Sequence, residues 1–61
     1  MIERNSRKII KKLKAEGFEL IRIKGSHHIF KKESKFVIVQ HPKADIANGT
    51  AKNIAKMAGW I

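Results

Sequence analysis

Residues 18–40 read FELIRIKGSHHIFKKESKFVIVQ, three β-rich runs separated by two short polar breaks. Phe18-Glu19-Leu20-Ile21-Arg22-Ile23-Lys24 is dense in residues that favour a pleated strand, and Gly25-Ser26 punctuates it as a turn. His27-His28-Ile29-Phe30-Lys31 reads as the returning strand, Glu33-Ser34-Lys35 as a second turn, and Phe36-Val37-Ile38-Val39-Gln40 as a third strand. Breaks this short cannot hold a crossover, so the strands must run antiparallel as a meander. His41-Pro42 closes the run, because proline has no N–H to give to a ladder.

Helical spacing flanks the meander on both sides. Ser6 is the expected N-cap of a first helix in which Ile9, Ile10 and Leu13 recur at three- and four-residue intervals. Arg7, Lys8, Lys11, Lys12 and Lys14 fill its polar face, and Gly17 supplies a left-handed stop. After the meander, Ala51, Ile54, Ala55 and Ala58 form a second stripe, with Asn48 or Thr50 as the expected cap and Gly59 at the end. The predicted order is α-β-β-β-α, an α+β fold in which two helices cover one face of a three-stranded antiparallel sheet. The other face is left open to solvent or a partner.

Composition narrows the classes of function. A chain of 61 residues has material for one small core, so residues 1–61 are expected to form a single domain. No cysteine is present, which excludes a disulfide scaffold and a zinc knuckle. Apolar runs stay far below the ~18 residues that span a bilayer, and the basic start leads into no apolar leader, so a cytoplasmic domain without a membrane role is expected. Fourteen Lys or Arg against five Asp or Glu give a formal charge of +9. That surplus attracts polyanions, nucleic acid first and an acidic protein second.

The hairpin Lys24-Gly25-Ser26-His27-His28, followed by Lys31 and Lys32, is the densest group of chemistry-bearing residues. Glycine lets a phosphate approach the backbone, serine offers a hydroxyl, imidazole moves protons near neutral pH, and the lysines add positive charge. An ordinary turn followed by two surface histidines would look the same. Strand alternation places His28 with Phe30 and His27 with Ile29. Phe30 is the larger apolar group and belongs on the covered side, which turns His27 to the open face.

Adjacent strand histidines diverge and make a poor chelate, and the five acids are scattered, so no metal or other cofactor is expected. One histidine and nearby cations can still cleave RNA, whose 2′-hydroxyl is a built-in nucleophile. The four aromatics, Phe18, Phe30, Phe36 and Trp60, are expected in or against the core and not as platforms for stacked bases.

Lys24-Gly25-Ser26-His27-His28-Ile29-Phe30 and His41-Pro42-Lys43-Ala44-Asp45-Ile46 resemble segments of the HicA family of toxins from prokaryotic toxin–antitoxin modules. Gly49-Thr50 through Ala58-Gly59, and the opening helix ending in Gly17-Phe18, fit the same family, so the likeness spans nearly the whole chain. It implies a double-stranded-RNA-binding-domain-like fold, mRNA cleavage that blocks translation, and a HicB-type antitoxin that covers the active face. It maps the catalytic histidine onto His27, with His28 as the position used by some members. Lys24, Gly25, Ser26, His28, Lys31 and Lys32 are then the expected RNA contacts. Gln40 and Ala47-Asn48 depart from common family residues, away from the hairpin. A non-catalytic RNA-binding module on the same fold is the alternative, with the histidines as bystanders.

Overall fold

A computed structural model describes residues 2–61. The order is α1 (Ser6–Ala15), β1 (Glu19–Lys24), β2 (His27–Lys32), β3 (Lys35–Gln40) and α2 (Asn48–Ala58), with the strands adjacent in chain order and antiparallel. This is the α-β-β-β-α arrangement expected from the sequence. Ile9 and Leu13 of α1, Ala51, Ile54 and Ala58 of α2, and Phe30, Val37 and Val39 of the sheet form one apolar core. Phe18 and Ile46, in the segments that enter the sheet and α2, complete it.

Both helices lie on the sheet side that carries Phe30, Val37 and Val39, and both pack against β3. β1 is exposed along its whole length. In β3 the alternation is clean: Val37 and Val39 are fully buried, whereas Phe36 and Ile38 face outward. That corrects the expectation for Phe36, which is not a core residue. Phe18 and Phe30 are buried, and Trp60 packs partly buried against the core while its indole N–H donates to Glu16 Oε1 at 2.8 Å.

The helix starts also differ from the sequence reading. Asn5, not Ser6, caps α1: its side-chain oxygen accepts from the N–H groups of Arg7 and Lys8 at 3.0 and 3.4 Å. Ser6 is the first helical residue and is buried, because its hydroxyl is engaged with the segment after β3. α2 starts behind Ala47, with no side-chain cap, so neither Asn48 nor Thr50 has the expected role. The stops are as read: Gly17 and Gly59 take positive φ values of 93° and 81°, where a side chain would be strained.

A bulge separates the two halves of β1. Leu20 pairs with Phe30 and Arg22 with Ile29, so Ile21 is an extra residue in the ladder. Without it, Arg22 and Lys24 would share the side of Leu20. With it, Leu20 and Ile23 fall on the helix side, and Arg22 and Lys24 join the open face opposite Ile29 and His27.

Candidate functional site

The open face is built from cross-strand rows. Lys24, His27 and Gln40 form one row, Arg22, Ile29 and Ile38 the next, and Glu19, Lys31 and Phe36 the third. Directly paired residues project to the same side of a sheet, so these side chains occupy one surface. His27 is exposed there, as the position of Phe30 required. Lys24 is directly opposite it, and Gly25-Ser26 makes the turn between them, with Gly25 at φ 60°. No atom outside its chain neighbours comes within 4 Å of where a Gly25 Cβ would stand, so the backbone there is open to a ligand.

Lys31 is on the same surface, with its Nζ 5.3 Å from the centroid of the Phe36 ring. Lys24, His27 and Lys31 are therefore brought together on one face, and Arg22 joins them. His28 and Lys32 are not. Lys32 is half-buried toward the helix side, where its Nζ stands 5.8 Å from the Phe18 ring centroid. His28, also half-buried, meets the His41 ring edge-on at 5.1 Å between centroids, and its Nδ1 is 3.4 Å from the Ser26 carbonyl oxygen.

Behind the hairpin lies a polar cluster that joins distant parts of the chain. The Ser6 hydroxyl accepts from the Lys43 N–H at 2.8 Å and is 2.7 Å from His41 Nδ1. The hydroxyl keeps its hydrogen and a second lone pair for His41 Nδ1, so it serves that nitrogen as donor or acceptor. The Ser6 N–H donates to the Lys43 carbonyl, and the His41 N–H to the Ser26 carbonyl, each at 2.8 Å. The start of α1 thus holds the segment after β3, and that segment holds the turn before His27. His41 is thus a loop-holding, hydrogen-bonding residue. Its partner Ser6 was missed, because nothing in a sequence marks a pairing across 35 residues.

Among the described residues, no group of three His, Cys, Asp or Glu side chains could hold a metal ion, and no helix is long and apolar enough to cross a membrane. What the open face offers is an exposed imidazole among cations, beside a turn of accessible backbone. Such a surface binds anions and can exchange a proton with them.

A small basic α+β protein with an open three-stranded sheet is the class that the fold and this face define. Residues 6–60 match the family described as HicA toxin of bacterial toxin-antitoxin, and the chain belongs to that family. Membership assigns it a toxin role and pairs it with an antitoxin. No curated protein matches the chain as a relative.

Proposed function

We propose that this toxin is a metal-independent endoribonuclease that cleaves mRNA in the cytoplasm and so blocks translation, with residues 1–61 acting as a single catalytic domain. The observation that carries the reading is the position of His27: exposed on the open face, opposite Lys24 and next to the Gly25-Ser26 turn. In the reaction the 2′-oxygen attacks the adjacent phosphorus while the bond from phosphorus to the 5′-oxygen breaks. His27 takes the 2′-hydroxyl proton as general base or protonates the leaving 5′-oxygen as general acid, a contribution of about 10²–10⁴-fold. The second proton exchanges with water.

Lys24 and Lys31, with the backbone at Gly25 and Ser26, stabilise the extra negative charge on the phosphorane. His28 and Lys32 act from the other side of the sheet, His28 by supporting the turn through Ser26. A HicB-type antitoxin neutralises the toxin by covering the open face.

The test is chemical. Wild-type protein is incubated with single-stranded RNA in excess EDTA, beside the same RNA carrying one 2′-deoxynucleotide at the cleaved position. Products ending in 2′,3′-cyclic phosphate or 3′-phosphate, and no cut at the deoxy position, are expected. Cleavage at the deoxy position, or dependence on added metal, would refute the mechanism. Binding without any cleavage across several RNAs would establish the non-catalytic module instead.

A further inference from the structure

Phe36 and Ile38 are 47% and 44% exposed on the open face, with half-buried Ile29 beside them. A side chain the size of phenylalanine at a solvent-facing strand position gains nothing from the core, and the cations around it set a specific chemistry. Lys31 pairs with Phe36 and carries its Nζ over the ring; Arg22 pairs with Ile29; Lys24 and His27 occupy the row beyond. One acid, Glu19, shares these rows.

We propose that the open face is a binding platform for unpaired RNA bases, with Phe36 as the stacking residue, Ile38 and Ile29 as its apolar floor, and Arg22 and Lys31 on the flanking phosphates. The proposal rests on the ribonuclease reading and names the form of its substrate: a single strand laid across the sheet. A duplex turns its bases inward and offers phosphates and 2′-hydroxyls, which would leave Phe36 and Ile38 against nothing apolar. Unpaired bases have an apolar π-face for every aromatic ring they meet, and their backbone carries the anionic charge that Arg22 and Lys31 complement.

The dimensions agree. Lys31 is four residues along β2 from His27, about 13 Å at the usual strand rise. A sheet surface accommodates two or three splayed bases in other RNA readers, on the order of the length available here. A strand held on Phe36 would therefore run toward Lys24 and His27, delivering a backbone phosphate to the turn.

The experiment measures binding in a His27→Ala background, so that the RNA stays intact. Fluorescence anisotropy compares a labelled unstructured RNA of about 12 nucleotides with a blunt-ended duplex of about 12 base pairs. The expected result is tighter binding of the single strand, a loss of about 5- to 100-fold for it in Phe36→Ala, and near-full affinity in Phe36→Trp. Duplex affinity should change less than about twofold, because phosphate contacts do not involve the ring. Far-UV circular dichroism checks that each variant is folded, which an exposed position predicts.

Single-strand affinity unchanged in Phe36→Ala, or an equal loss for both RNAs in folded protein, would overturn the proposal and leave the apolar face to a protein partner. Failure of the wild type to cleave RNA would defeat the ribonuclease reading alone, since this measurement does not depend on cleavage.

Discussion

Removing the Ser6 hydroxyl should cost the fold stability, and removing the His27 ring should leave stability nearly unchanged. Ser6 is 2% exposed, and its oxygen is shared between the Lys43 N–H and His41. Ser6→Ala removes both of these part-buried hydrogen bonds, a cost of about 1–3 kcal/mol. In a domain of this size each kcal/mol lowers the melting temperature by ~4–8 °C, so thermal unfolding will register the loss. His27 faces solvent, and His27→Ala should alter stability by no more than about 0.5 kcal/mol in the same measurement. Phe30, fully buried between the helices and the sheet, sets the upper end of the scale. Phe30→Ala removes a large side chain from the centre of a small core, about 3–5 kcal/mol, a large part of what such a domain has. Its circular dichroism spectrum should show an unfolded or nearly unfolded chain.

At the scale of elements, α2 is less well terminated than α1. The Asn5 side chain satisfies two N–H groups at the start of α1, whereas Ala47 has no side-chain cap to offer α2, and neither helix has an acidic residue in its first turn. Ala47→Asp adds both a capping acceptor and a negative charge at the positive end of the helix dipole. The expected gain is about 0.5–2 kcal/mol, read as a higher urea midpoint with an unchanged slope. No gain would mean that another group already serves those N–H groups.

Much at this scale was legible beforehand. Two polar breaks too short for a crossover dictated the meander, and helical spacing on either side dictated the helices. The side of Phe30, and with it the exposure of His27, followed from giving the covered side to the larger of two neighbouring apolar residues, Phe30 over Ile29. Phe36-Val37-Ile38-Val39 is apolar throughout, so which pair faced the core was unreadable until the helices were in place. The bulge at Ile21 carries no glycine or proline to mark it, and it alone brings Arg22 to the open face. Asn5 and Ser6 are equally good cap residues by type. What separates them is the distant loop that engages Ser6.

On the scale of the whole molecule, the proposed function makes the formal charge of +9 the source of attraction to RNA. Each phosphate neutralised on a single strand contributes about −0.7 to the slope of log affinity against log salt. Contacts from Arg22, Lys24 and Lys31 together predict a slope near −2, and Lys24→Ala should flatten it by about 0.7. A slope that ignores Lys24 would place the backbone elsewhere, on the basic face of α1. The central claim is narrower than attraction, namely that one exposed imidazole on the open sheet face does the proton transfer. The most direct measurement is the single-turnover cleavage rate of a defined RNA in EDTA by wild type, His27→Ala and His28→Ala, each also assayed for RNA binding. The account predicts a loss of about 10²–10⁴-fold in His27→Ala with affinity retained, and a smaller loss in His28→Ala through the turn it supports. Undiminished cleavage by folded His27→Ala, with the loss in His28→Ala instead, would contradict it.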